Sequence, residues 1–344
     1  MAEFKNNVNI HIHIHIHIHI HIHISHWIGC PYYKPNAAVG VARTIRGITD
    51  IEDLKEICIN KKICPYIVAR EMMQFSAIIF APYNYIIYPS IRSAMNIKLD
   101  HSVILFDEAH NILQTARDAA SVEFTLYNFR VGVEAFTTLL SDMERATARR
   151  VRSTSAFAEV PFSSFQYLKT KAEAMLQWMY TTSNSLQSHH EDKHFTLEYG
   201  RRMLSMIQQW ICQDEDEMEE IRMHIGGILQ WYDELIQQDL VMGRRSRVSK
   251  LIASHENGLK LLDQLRELSD VIEYLYMMNG QYVSDFRLLI EKRIPPRNRH
   301  RGYQEQKDDE DKNTIFSLIC LNAGIIFHKI KSKASSLILA SGMT

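Results

Sequence analysis

Two adjacent carboxylates, Asp107 and Glu108, are followed by Ala109 and His110 and close a short apolar run, Val103-Ile104-Leu105-Phe106. Such a pair has a definite chemical use. One carboxylate holds Mg²⁺, and the second orients or polarises a water that attacks a nucleotide phosphate. A buried strand delivers both groups to the crevice at the carboxyl end of a parallel sheet, where ligands bind in open α/β folds. The competing reading is an Asp-Glu pair that caps the helix predicted from Asn111 onward.

The elements that would position this pair can be read from periodicity. Ile51 to Cys64 reads as an amphipathic helix, with Ile51, Leu54, Ile57 and Cys58 on one face. Ala77 to Ala81 is a continuous apolar run before Pro82, and Val103 to Phe106 is a second. Both predict strands buried on two faces, as in a parallel sheet under helices. From about 121 to 275 helical spacing dominates, for example over Phe165–Leu186, Leu204–Cys212 and Ile221–Leu240, and Pro161 is the only proline there. Ile315–Leu321 and Ser336–Ala340 return to buried-strand patterns, the second running into Ser341-Gly342. A strand so close to the last residue leads us to expect a piece of a longer protein.

Composition narrows the function classes. The chain has 344 residues, a formal net charge of −1 and 46% hydrophobic residues, so it can bury a core of one or two domains. Overall charge does not announce a nucleic-acid partner, which would have to be met by local basic patches. Two such groups are Arg244, Arg245 and Arg247, and Arg293, Arg297, Arg299 and Arg301 around Pro295-Pro296; each reads as a DNA contact or a solvated face. No run approaches the roughly 18 apolar residues of a membrane span. Five cysteines in a long chain argue for a reducing compartment rather than a disulfide scaffold. Of these, Cys58, Cys212 and Cys320 read as core. Residues 10–24 alternate Ile and His without interruption, which reads as a metal-binding ladder or, as we prefer, as a translated simple repeat. His101 and His110 are solitary, so neither reads as a metal ligand. Tyr83 and Tyr85 are candidates for base stacking, with packing the preferred reading.

Ile63-Cys64-Pro65-Tyr66, Ala81-Pro82-Tyr83-Asn84-Tyr85 and Asp107-Glu108-Ala109-His110-Asn111 stand in a shared order and spacing. Through them the chain resembles the iron–sulfur superfamily 2 DNA helicases of the xeroderma pigmentosum group D type, over about 27–127 and 314–344. Ile91-Arg92-Ser93-Ala94-Met95 and Ala116-Arg117 look most like the Fanconi anaemia group J branch. Cys320-Leu321-Asn322 and Leu337 to Gly342 resemble later motifs, although Met343 stands where the family has Thr.

That resemblance implies an α/β fold, a partial RecA-like parallel-sheet motor domain with a large helical, Arch-like insertion. It divides the chain into a low-complexity tract (1–26), a partial iron–sulfur domain (27–75), a motor portion (76–120 with 313–344) and the Arch-like span (121–312). It also implies ATP, Mg²⁺ and a [4Fe–4S] cluster, single-stranded or forked DNA, DNA-repair proteins as partners, a nuclear location and 5′-to-3′ unwinding. Asp107 would hold Mg²⁺, Glu108 would activate water, and His110 would link nucleotide state to Ser341 and Gly342. Cys30 and Cys64 would match two of the four cluster ligands, while Arg244, Arg245, Arg297 and Arg299 are candidate DNA contacts.

The departures bear on activity. No G-x-x-x-x-G-K-[ST] loop is present to cradle phosphates, and the first two cluster cysteines are missing where the Ile-His repeat stands. The chain by itself is therefore expected to hydrolyse ATP poorly and to lack a complete cluster. Two other classes stay open: a catalytically inactive DNA- or protein-binding module, and a His-rich metal-binding protein.

Overall fold

The computed structural model describes residues 32, 34–47, 49–148, 160–186, 188–190, 193–242, 247–293 and 303–342. The chain opens with a small helical lobe: α1 (Pro35–Thr44), α2 (Ile51–Asn60), α3 (Pro65–Met73), α4 (Tyr83–Ile87) and α5 (Pro89–Ala94). Proline starts α1, α3 and α5, where its fixed φ suits the first turn and its missing N–H is not needed. Asp50 caps α2 by accepting from the Asp53 amide at 2.9 Å. The helix stops at Asn60, before Lys62 turns to φ 54°. Leu54 and Cys58 point into a core shared with Val68, Met72 and Met95.

β1 (Val103–Phe106) leads into α6 (Ile112–Ala119) through a short 3-10 turn at Ala109–Asn111. Its only sheet partner among the described residues is β7 (Ser336–Leu339), paired parallel with Val103 opposite Ser336 and Phe106 opposite Leu339. The connection between them runs through every described element after β1. α14 (Gly324–Lys333) covers one face of the pair, with Phe327 edge-on to Phe106 at 6.1 Å.

Two expectations about strands need correction. Residues 77–81 form no strand; Ile78, Ile79 and Phe80 are 42–46% exposed, and no described strand lies beside them to take their backbone hydrogen bonds. Nor are β1 and β7 buried on both faces. Ile104 and Phe106 are buried, but Val103, Leu105, Ile338 and Leu339 are exposed, because helices cover only one side of this two-stranded sheet.

The span from 121 to 312 is mostly helical, yet it also contributes four strands. An antiparallel sheet runs in the order β2 (Val122–Thr125), β6 (Thr314–Cys320), β5 (Phe286–Arg293), β4 (Lys193–Tyr199), β3 (Ser188–His190). Phe286, Leu288 and Ile290 alternate inward along β5, a period of two that the surrounding helical text obscured. β6 pairs in this sheet rather than beside β1. Against the inner face pack α7 (Leu126–Ala148), α8 (Phe162–Asn184), α9 (Gly200–Trp210) and α12 (Glu256–Gly280), and α10 (Glu215–Met242) packs on α8 and α12. α11 (Arg247–Ala253) and α13 (Tyr303–Lys312) flank α7. Phe316 stacks on Phe124 at 6.2 Å and meets Trp178 at 5.5 Å, tying sheet to helix. Among the described residues no helix is long and apolar enough to cross a membrane.

α7 and α12 cross at two glycines. A Cβ on Gly258 would lie 3.2 Å from the backbone of Phe136, and one on Gly132 would lie 3.1 Å from Leu261 Cβ. Gly226, by contrast, sits exposed in α10 with nothing within 4 Å of a built Cβ. Gly258→Ala should therefore lower stability by about 1–3 kcal/mol through overpacking. Gly226→Ala should raise it by up to about 1 kcal/mol through helix propensity. Urea unfolding of the two variants measures both; equal shifts of one sign would contradict the crossing.

Candidate functional site

The site forms where β1 and β7 end together. Phe106 is the last residue of β1, and its carbonyl accepts from the Ala340 amide at 2.9 Å; the Ala340 carbonyl accepts from the Ala109 amide at 2.9 Å. These two bonds continue the parallel pairing past both strands. They place the Asp107-Glu108 turn beside Ser341-Gly342.

Glu108 adopts a left-handed conformation, φ 49° and ψ 46°. Non-glycine residues rarely take it, because Cβ crowds the backbone. The Asp107 carboxylate helps hold the turn by accepting from the Glu108 amide at 3.0 Å. The result aims the Glu108 side chain outward next to His110, with Glu108 Oε2 3.3 Å from His110 Nδ1. The same ring nitrogen lies 3.0 Å from Ser341 Oγ. Both side chains are about half exposed, at 57% for His110 and 51% for Glu108. A Cβ on Gly342 would reach to 3.9 Å from Glu108 Oε1, so a larger residue there would shade the carboxylate.

Five residues singled out in the sequence, Asp107, Glu108, His110, Ser341 and Gly342, thus meet in one place. Tyr83 belongs with them, although the sequence offered base stacking or, by preference, packing for it. Its ring lies 6.2 Å from Phe106, and its hydroxyl donates to the Asp107 carbonyl at 2.8 Å. The signal available was its place directly after the Ala81-Pro82 break, which aims α4 at the end of β1. Tyr85 is fully buried in the helical lobe, in keeping with the packing reading.

The remaining candidates stand apart. Cys64 is half-buried at the start of α3, where its amide donates to the Tyr32 carbonyl at 2.8 Å. Cys30, Arg244, Arg245, Arg297, Arg299 and the Ile-His tract lie outside the described residues. Cys58, Cys212 and Cys320 are buried, as expected of core residues.

Fit to metals differs between the two centres. Asp107 and Glu108 offer oxygen donors, which suit Mg²⁺, an ion that takes one or two carboxylates and completes its shell with waters and phosphate oxygens. A [4Fe–4S] centre takes four thiolates. The described residues offer Cys64 and Cys58, and the Cys58 thiol is pushed up to about 11 by burial and then by Cys64. A thiol held protonated is a poor ligand. Among the described residues no group of three or more His, Cys, Asp or Glu could hold a metal ion, so they do not fit a four-thiolate centre.

Residues 6–128 match the DEAD_2 family, a span that includes the Asp107–His110 segment. A Fanconi anemia group J protein homolog from Gallus gallus is 24% identical over 298 residues, covering 85% of this chain and 21% of that protein. Regulator of telomere elongation helicase 1 from Mus musculus is 39% identical over 100 residues, covering 29% of this chain and 8% of that protein. The human protein of that name is 36% identical over 99 residues, with the same coverage. The chain therefore spans about a fifth or less of the length of these relatives. A solved structure titled XPD_Helicase aligns over 98% of this chain and 46% of that one, at 10% identity and a TM-score of 0.38. The chain is thus similar to the DEAD_2 family over residues 6–128 and, over the spans given, to these relatives.

Proposed function

We propose that this chain is a portion of an ATP-dependent DNA helicase that unwinds 5′ to 3′ in nuclear DNA repair and genome maintenance, and that it carries the carboxylate half of the ATPase centre. One observation carries the reading: Glu108, His110 and Ser341 converge at the end of the β1–β7 pair, with Asp107 in the same turn.

The chemistry follows from what each group can do there. Asp107 would hold Mg²⁺, which would supply charge neutralisation for the phosphate oxygens. The Glu108 carboxylate orients the attacking water and takes its proton. Exposure leaves Glu108 open to substrate, and the left-handed turn aims it away from the strand. His110 bridges Glu108 and Ser341, so a change at the carboxylate reaches the segment after β7. Single-stranded or forked DNA is the proposed polymer substrate, and DNA-repair proteins are the proposed partners. Arg244, Arg245, Arg297 and Arg299 remain candidate contacts to its phosphates, and Cys30 and Cys64 remain candidate inherited cluster ligands.

The missing phosphate loop favours a second reading, a non-catalytic DNA- or protein-binding module, and a single substitution separates the two. In a protein that joins this chain to its family's phosphate-binding loop, Glu108→Gln should leave nucleotide binding intact. It should reduce DNA-stimulated turnover by about 10²–10⁴-fold. Unchanged turnover would refute the assigned role, and no turnover in the parent protein would favour the module. The same turn makes a stability prediction. Glu108→Gly relieves the left-handed backbone and should raise stability by about 1 kcal/mol while removing the carboxylate. Thermal unfolding of the chain checks it, and a loss of stability would show that the turn carries no strain.

A further inference from the structure

We propose that Lys329 is a positioning residue that ties the placement of helix α12 to the contact between His110 and Ser341. The inference rests on the reading of that contact as part of the working site, and it names what regulates it.

Lys329 lies in α14, the helix that leads directly into β7 and Ser341. Two residues earlier Phe327 packs on Phe106, the residue before Asp107. Side chains two apart on a helix point in different directions. One face of α14 therefore grips β1, while Lys329 turns toward α12. Its ammonium lies 2.7 Å from Glu273 Oε2 and 4.9 Å from the centre of the Tyr274 ring. Glu273 also pairs with Arg222 of α10, and Arg222 pairs with Asp270 at 3.0 Å. Arg92 of α5, itself buried, faces Asp270 and Tyr274 and donates to the Ile86 carbonyl. Four elements thus meet at one charged seam, and α12 is its centre.

The seam differs from the apolar core around it. Burial alone would raise the Glu273 carboxyl, but the Lys329 ammonium and Arg222 guanidinium hold it below the usual carboxylate range. Removing one partner of such a pair leaves a buried charge under-compensated, and the rest must rearrange. On the same helix the buried Tyr274 Oη, Arg266 Nε and Gln264 Oε1 have no hydrogen-bond partner among the described residues. A partly satisfied polar network has more than one arrangement of similar energy, unlike close-packed side chains. A shift of α12 is accordingly passed to Lys329, along α14, and into the Ala340 bonds that hold Ser341 beside His110. An apolar contact at position 329 would keep α14 docked without answering to the charge on α12.

The experiment measures amide exchange and His110 ring resonances in this chain without nucleotide, so it does not depend on catalysis. Lys329→Met should speed exchange of the Ala109 and Ala340 amides about tenfold and displace the His110 resonances, a coupling of ordinary size. The Leu318 amide in β6 should keep its rate, and Lys329→Arg should restore wild-type behaviour. Equal acceleration at Ala109, Ala340 and Leu318, or no change at any of them, would mean that Lys329 is merely structural and would overturn the proposal. Should Lys329→Met not fold, Glu273→Gln is judged by the same comparison. An inactive Glu108 would refute the catalytic reading and leave these exchange rates untouched.

Discussion

The pairing of β1 with β7 is the constraint on which the site depends. Val103 opposes Ser336, so two segments more than 200 residues apart are held side by side by backbone hydrogen bonds. Parallel strands cannot be joined by a tight turn and need a crossover. Here the crossover includes the antiparallel sheet and all the long helices. The Ala340 amide and carbonyl extend the pairing beyond the strands and set the turn that carries Asp107 and Glu108 against Ser341. Without it, His110 would have no Ser341 to meet.

Such distant closure costs chain entropy that the two short strands cannot offset alone. The continuous core beneath them does. It runs from Phe106 and Ile112 through Phe124 and Phe316 to the helices at Phe136, Phe165 and Trp231. Close approach of α7 and α12 at Gly132 and Gly258 lets that core form at full density. Among the described residues the outer face of the β1–β7 pair is apolar and uncovered.

Function and structure pull in opposite directions at Glu108. A strained left-handed residue is tolerated because the Ala109–Ala340 bond and the Tyr83–Asp107 bond hold the turn from both flanks. The charged seam around Glu273 lies farther back and orders the helices that carry those flanks. Between the turn and the helical span, α14 touches both, through Phe327 on Phe106 and Lys329 on Glu273.

Much of this was legible in the residues. The carboxylate pair after an apolar strand, the helices around 165–186 and 221–240, and the strand before Ser341 are local patterns with local causes. Periodicity could not say which strands pair. Ala77–Ala81 has the composition of a buried strand but pairs with no described strand, whereas Phe286–Arg293 became a strand inside text that read as helical. Composition reports what a segment can bury, and hydrogen-bond partners come from elsewhere in the chain. The sequence by itself therefore determined the candidate site's chemical groups and the resemblance they carry. The resemblance already linked His110 to Ser341; only the tertiary structure gave that contact its geometry, added Tyr83 and set Lys329 against Glu273, because each is a contact between segments whose separation no local rule can span.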